Sequence, residues 1–302
     1  MVSGNAIADV VNLIYICKKN MRYSVNQLRD FSLLFSRSEV FRWFKNDFDS
    51  INLKLKRYNQ FDSYRGKTYL EVLKNAYKIV EKNYPNEYVL KNEFLHKWLI
   101  KELGQSDSVI FNELRIGKAI ADLAMFNGIS KVFEIKTILD KESRLSNQLI
   151  EYKKIFNEIY LIVPNCQISK YAEYDLSVGI ISYDSSSKKF YLYRKAVFNN
   201  DIDVNVLMNV LHTKEYLKIA KENFSNLPNM NAFTQFEICK NLLSSLPKED
   251  LNKLLIDCIK QRQINNAFYH KSNYEFNQIF LSLNLNSQQR DNLISNLKKN
   301  IV

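Results

Sequence analysis

Asp122 and, after eleven intervening residues, Glu134-Ile135-Lys136 are the side chains in this sequence best suited to do chemistry. Side chains alternate along a strand, so Glu134 and Lys136 share one face while Ile135 turns into the core. Between the two segments lies Asn127-Gly128, and Asn-Gly flanked by apolar runs is a strong hairpin signal. The hairpin carries Asp122 close to the other two. Two carboxylates at the edge of a twisted hairpin make an oxygen-rich site suited to Mg2+ or Mn2+, which favour hard ligands. An ammonium beside them can orient an attacking water and stabilise charge gathering on a scissile phosphate. Phosphodiester hydrolysis needs those parts. An Asp followed by E-x-K is by itself a weak signal, because strands ending in Glu and Lys are commonly just solvated; the surrounding elements give it weight.

Three short apolar runs, Val109 to Leu114, Ala121 to Phe126 and Lys131 to Thr137, read as strands. Ahead of them an amphipathic helix from Asn92 runs through Phe94, Leu95, Trp98 and Leu99 to Leu103, stops at Gly104, and carries Glu93 near its start. Behind them a helix extends from Ser143 to about Asn157. Arg144, Gln148 and Tyr152 are spaced four apart on it and line one stripe, with Leu145, Leu149 and Phe156 on the neighbouring one. A strand follows at Tyr160 to Val163, closed by Pro164, then two more at Gly179 to Tyr183 and Phe190 to Arg194. The middle of the chain thus reads as helix, three strands, helix and strand, plus a small extension.

The segments NEFLHKWLIKEL, IADLAMFNG, VFEIKT and RLSNQLIEYKKIFNEIYLIV resemble the core of the PD-(D/E)XK nuclease superfamily, in particular a branch of bacterial and phage-associated proteins. The resemblance covers Asn92 to Val163, about a quarter of the chain. It implies an α/β fold with a restriction-endonuclease-like αβββαβ core, a mixed central sheet, and helical regions on both sides. It further implies that Asp122 and Glu134 bind Mg2+ or Mn2+ with help from the carbonyl of Ile135, and that Lys136 acts at the nucleophilic water. Glu93 matches the first-helix acid of the superfamily, while Glu113 on the first strand is a rival for that role. Gln148 and Tyr152 match a Q-x-x-x-Y element that faces the site and steadies substrate or catalytic groups. One position departs from the pattern: Ala121 stands where the superfamily name has proline.

Helical periodicity fills the flanks. Leu28, Phe31, Leu34, Phe35 and then Val40, Phe41, Phe44, Phe48 recur at three and four. After about Asn199 helix starts are signalled by Pro247, with Glu249 and Asp250 behind it, and by Ser272-x-x-Glu275 as a capping box. These signals divide the chain into a basic helical domain over 1–88, a nuclease-like domain over 89–198 and a helical domain over 199–302. Tyr23 to Asp47 can be stretched into a helix-turn-helix, but no recognition helix stands out. The flanks equally suit a homodimer interface or a partner protein.

Net charge is +11, and residues 1–90 hold more than half of the excess, with 15 basic against 9 acidic side chains. A basic surface attracts polyanions by releasing condensed counterions, which makes nucleic acid, DNA first, the partner to consider. Lys54, Lys56, Arg57, Tyr58, Tyr64, Arg65 and Lys67 interleave basic and aromatic residues as a phosphate-gripping, base-stacking surface does; the bland alternative is a solvated loop. Arg144 and Asp140 could assist at the cleft mouth, or form an i to i+4 ion pair. His96, His212 and His270 lack metal spacing, and Trp43 and Trp98 sit on apolar faces that suit core packing. Cys17, Cys166, Cys239 and Cys258 are scattered, which suggests buried reduced thiols rather than a zinc site or disulfides. No apolar run approaches the ~18 residues needed to span a bilayer, and Val10 to Cys17 lacks a basic lead, so a cytoplasmic protein is expected. A magnesium-dependent nuclease acting on DNA, in phage defence or mobile-element biology, is the expected function. A catalytically silent binding or interaction module on the same fold is the alternative.

Overall fold

A computed structural model describes residues 22–103, 108–138, 140, 142–262 and 269–302. Cys17, the segment Val10 to Cys17 and Gly104 lie outside them. The chain forms two compact units, residues 1–89 with 289–302, and residues 90–288.

The first unit is helical: α1 (Val25–Leu33), α2 (Arg37–Phe44), α3 (Asp49–Arg57) and α4 (Tyr69–Asn83). Short polar side chains start α1, α2 and α4 by accepting orphan amide protons. Ser24 accepts from the amide of Gln27, and Thr68 forms a reciprocal capping box with Glu71. Apolar periodicity then decides which stripe turns inward. On α2, Val40 and Trp43 are buried, whereas Phe41 is 56% exposed, so the expected inward run is shifted by one position. Trp43 is fully buried. The last residues of the chain return to this unit, where the amide of Ile301 donates to the carbonyl of Lys67 at 2.8 Å.

The second unit is built on one mixed sheet of six strands in the order β1 to β6, flanked by helices. The strands are β1 (Val109–Ile116), β2 (Ala119–Phe126), β3 (Ser130–Ile135), β4 (Glu158–Pro164), β5 (Gly179–Asp184) and β6 (Lys189–Arg194). β1, β2 and β3 form an antiparallel meander, β3, β4 and β5 run parallel, and β6 turns back antiparallel. Strand β4 lies at the centre and is buried along nearly its whole length, which explains its continuous apolar run. Two turns rely on glycine. Gly128 closes the β2–β3 hairpin at φ +98, and Gly117 closes β1–β2 at φ +53, where a Cβ would run into the Glu151 carboxylate.

The helix ahead of the sheet differs from its expected form. α5 (Glu87–Phe94) begins five residues early, then a π-helical turn over Leu95–Leu99 leads into α6 (Ile100–Leu103). Phe94 docks on Phe133 of β3 and Phe190 of β6, with ring centroids 5.1 and 5.2 Å apart. Parallel neighbours need a crossover, and helix α7 (Leu145–Lys153) supplies it between β3 and β4.

Helices over 204–260 pack on the same core as α7, where Leu207, Tyr216, Leu243, Leu255 and Ile259 join Val132, Leu149 and Leu161. Ser272 and Glu275 do not form a capping box. The segment Lys271–Phe276 is 3-10 helical, and its cap is His270, whose Nδ1 accepts from the amide of Asn273. The segment is tied inward because Asn92 donates to the carbonyl of Tyr274 and accepts from the amide of Gln278. Among the described residues no helix is long and apolar enough to cross a membrane. Cys239 and Cys258 are buried free thiols, and Cys166 is exposed rather than buried.

Candidate active site

β2 and β3 pair only as far as Leu123 and Phe133. Past that rung their backbones part, and the amide of Ile135 needs another acceptor. The Asp122 carboxylate provides it, with Oδ2 2.8 Å from that nitrogen. Splaying of the hairpin thus brings Asp122 beside Glu134-Ile135-Lys136, as the spacing predicts. The amide of Lys136 donates onward to the carbonyl of Ile162 on β4, which fixes the β3 terminus.

Glu134 is 3% exposed and Lys136 7%. Glu134 Oε1 accepts from Lys136 Nζ at 2.7 Å, and its Oε2 lies 2.8 Å from the Tyr152 hydroxyl. Lys136 Nζ also donates to Gln148 Oε1 at 3.2 Å. Gln148 and Tyr152, four residues apart on α7, therefore each meet one member of the Glu134–Lys136 pair. The Tyr152 oxygen is also 2.9 Å from the carbonyl of Ile120, yet a phenol has one proton for these two acceptors. Burial first, and the nearby Asp122 charge second, push the Glu134 carboxyl up to about 7 against the opposing pull of Lys136. The Tyr152 hydroxyl is itself held well above its ordinary range by burial and by Glu134.

Lys91 joins the site without a motif to announce it, and sequence reasoning missed it. Its side chain is 2% exposed, and its Nζ lies 3.2 Å from Asp122 Oδ1. Each of the two carboxylates is thus balanced by a buried ammonium. A signal for it is present, because Lys91 precedes the buried Leu95 by one helical turn and so falls on an inward stripe.

An open cavity of about 620 Å³ leads to the cluster, lined by Lys118, Asp122, Arg144, Gln148 and Glu151 among others. Arg144 is exposed at this mouth. Asp140 does not bridge to it, since its Oδ2 accepts from the amide of Thr137 at 2.6 Å. Glu93 is buried and ion-paired to Lys97 at 2.5 Å on its own helix. Its rival Glu113 is exposed, sits at φ +58, and lies in register opposite Asp122, between the Asn112–Leu123 and Leu114–Ala121 pairs. Among the described residues no three His, Cys, Asp or Glu side chains gather where they could hold an ion. The carboxylates joined through the β2–β3 hairpin are Asp122 and Glu134, with Ile135 next to Glu134 in sequence.

The five basic side chains of the first unit expected to grip phosphate have partners within it. Lys54 donates to Ser50 at 2.5 Å and pairs with Glu39, and Arg57 pairs with Asp30 at 2.6 Å. Arg65 faces Asp62, Lys56 lies over the Phe61 ring at 4.9 Å, and Lys67 over the Tyr64 ring at 5.1 Å.

Comparison with known proteins adds a family. Protein cII of Enterobacteria phage P4 is 28% identical over 193 residues, which span 60% of this chain and 67% of that protein. Among solved structures, the SPO1766 protein of unknown function from Silicibacter pomeroyi matches 46% of this chain and 94% of its own, at 11% identity and a TM-score of 0.31. A family model described as bacteriophage P4 protein cII matches residues 80–286, which take in all six strands and the cluster around Glu134, and the chain belongs to that family.

Proposed function

We propose that this protein is a magnesium-dependent nuclease, with DNA as the favoured substrate and a restriction-endonuclease-like core formed by α5 to β4. The observation that carries the reading is the set of half-buried Asp122 with buried Glu134 and Lys136, steadied by Gln148 and Tyr152, which an open, partly basic cavity reaches through Asp122 and Gln148. Burying an unneeded carboxylate and two ammonium groups is costly, so such a cluster points to a task beyond folding. The donor set fits a hard divalent ion. Asp122, Glu134 and the Ile135 carbonyl would hold it, with Lys91 and Lys136 as the balancing charges that give way. Magnesium bound there would supply Lewis-acid stabilisation of the phosphate's developing charge.

The chain's own residues do the rest. Lys136 orients the attacking water and stabilises the phosphate oxygens. Gln148 holds the ammonium toward the substrate side, and Tyr152 fixes the Glu134 carboxylate. Arg144 and Lys118 at the mouth meet the phosphate backbone. Since the related cII protein belongs to a phage, a role in phage or mobile-element biology fits the reading.

The test is cleavage of plasmid and single-stranded DNA with Mg2+ by the wild type, Lys136→Ala and Asp122→Asn. Cutting by the wild type alone supports the proposal, and equal activity in all three proteins removes it. The number of acids at the site favours a second reading, a nucleic-acid-binding module without turnover. Salt-sensitive binding without metal-dependent cutting identifies that case.

A further inference from the structure

A second cavity, of about 760 Å³, opens in the sheet unit away from the Glu134 cluster. The π-helical turn and the β5–β6 turn line it with four lysines, Lys97, Lys101, Lys188 and Lys189, and with the rings of His96, Trp98 and Phe190. No acidic side chain is among the described residues that line it. Lys97 is spoken for, since its Nζ pairs with Glu93 and donates to the carbonyl of Lys188 at 3.0 Å, which clamps the two turns together. Lys101, Lys188 and Lys189 are exposed at the rim.

Aromatic rings line the cavity between them. Trp98 is half-buried and lies parallel to Phe94, with ring centroids 6.2 Å apart. Phe190 is wedged between Phe94 and Tyr183. His96 is stacked with Tyr274 at 4.9 Å and Tyr269 at 5.7 Å, and burial lowers its pKa, so that side of the wall adds no charge at neutral pH. The rings are therefore rigidly backed, and the half-buried Trp98 lines the space. The β5–β6 turn follows the C-terminal end of β5, and Lys136 follows the C-terminal end of the parallel β3, so the cavity and the candidate active site lie at the same end of the sheet.

A rim of ammonium groups around a pre-stacked aromatic floor suits a ligand that carries both phosphates and exposed ring faces. A duplex presents phosphates but hides its base faces, and an acidic peptide lacks rings. We propose that this cavity is a binding site for single-stranded nucleic acid, with a base stacked on Trp98 and adjacent phosphates held by Lys101 and Lys189. The proposal concerns binding and does not rest on the Glu134 cluster being catalytic.

The chain has two tryptophans, and Trp43 is fully buried in the other unit, so Trp98 serves as the built-in reporter. The experiment titrates the full-length protein with a mixed-sequence single strand in EDTA, which stops any metal-dependent turnover, and follows tryptophan emission and oligonucleotide anisotropy together. Saturable quenching by the single strand is expected, with the duplex of the same sequence and polyglutamate both quenching little. Trp98→Ala should abolish the quench and weaken binding roughly tenfold, in line with about 1–3 kcal/mol per stacked base lost on alanine substitution. Lys101→Ala/Lys189→Ala should leave the melting temperature unchanged. It should lower the slope of log affinity against log salt by about 1.4, or about 0.7 for each single-strand phosphate no longer neutralised. Unaltered anisotropy affinity in a folded Trp98→Ala protein overturns the proposal. So does equal quenching by duplex or polyglutamate. Neither outcome touches the cleavage test, which turns on Lys136 and Asp122.

Discussion

Lys136 and Lys54 are both lysines set against a carboxylate, and they show how differently two regions of this protein use the same chemistry. Lys54 lies between Ser50 and Glu39 in the helical unit, whose excess of basic residues gives it the look of a substrate-gripping surface. Lys136 lies between Glu134 and Gln148 in a cluster that also contains Tyr152, Asp122 and Lys91. In the helical unit Lys54, Lys56, Arg57, Arg65 and Lys67 all meet partners of their own unit. The cluster holds charges at the end of β3 where water screens them little, so burial and the Asp122 charge raise the Glu134 carboxyl. Abundance of charge and availability of charge are separate properties.

Lys136→Ala should give the largest effect, a loss of about 10³-fold or more in metal-dependent cleavage, on the scale of removing a group that stabilises the transition state. Lys54→Ala should change the same rate by less than about twofold, as expected of a lysine tied into its own fold. Cleavage assays on both variants side by side would break the contrast if the two losses were similar.

Glu134→Gln tests the electrostatic half of it. The folded-state pKa of about 7 lies above the ordinary 4.5, so the metal-free protein binds the Glu134 proton more tightly folded than unfolded. Its stability is therefore unaffected by this group below about pH 4.5, falls as pH rises to about 7, and stays level above. The glutamine side chain would mimic the protonated carboxyl and remove that fall. Denaturant melts in EDTA should show the variant more stable than wild type by on the order of 2–3 kcal/mol at about pH 8 to 9, with the difference vanishing near pH 4. Added Mg2+ should narrow the gap from the wild-type side, because a bound cation stabilises the ionised form. A pH-independent difference would show that Glu134 carries no unusual proton.

Tyr152→Phe comes next. The change keeps the ring in its edge-on contact with Phe156, 6.1 Å between centroids, and deletes a hydroxyl that serves Glu134 and the Ile120 carbonyl. A loss of about 1–3 kcal/mol in stability is expected, the cost of leaving buried polar partners unmet. Thermal melts read the loss, and a value near zero would mean that Tyr152 does not bind the cluster together.

The strands were legible because each is a short apolar run closed by a turn residue. Ala121 to Phe126 and Lys131 to Thr137 fall within two residues of β2 and β3, and Asn127-Gly128 sits in the loop between them. The approach of Asp122 to Glu134 followed from that hairpin. Three features were not legible, each for the same physical reason. The π-turn at Leu95–Leu99, the seat of Lys91 beneath Asp122, and the tie from Asn92 to Tyr274 and Gln278 all depend on what packs against a helix from a distant part of the chain. Periodicity shows which stripe is apolar, not what meets it. Trp98 illustrates the limit: its spacing reads as core, and the added residue of the π-turn leaves it lining a cavity.

Lys56 and Lys67 offer the finest test of the contrast. Both ammonium groups lie over rings of their own unit, Phe61 and Tyr64, an arrangement that holds a cation near the surface without burying it. An exposed cation–π contact contributes about 0.5–1 kcal/mol, so each alanine substitution should cost no more than that in a melt. If these lysines served phosphates instead, the double variant would lower the salt slope of single-strand binding by about 0.7 per phosphate engaged, as Lys101→Ala/Lys189→Ala is expected to do. An unchanged slope together with a small loss of stability assigns the two lysines to their own fold. A flattened slope would mean that the helical unit grips nucleic acid after all, with charges that the ring contacts hold in place for it.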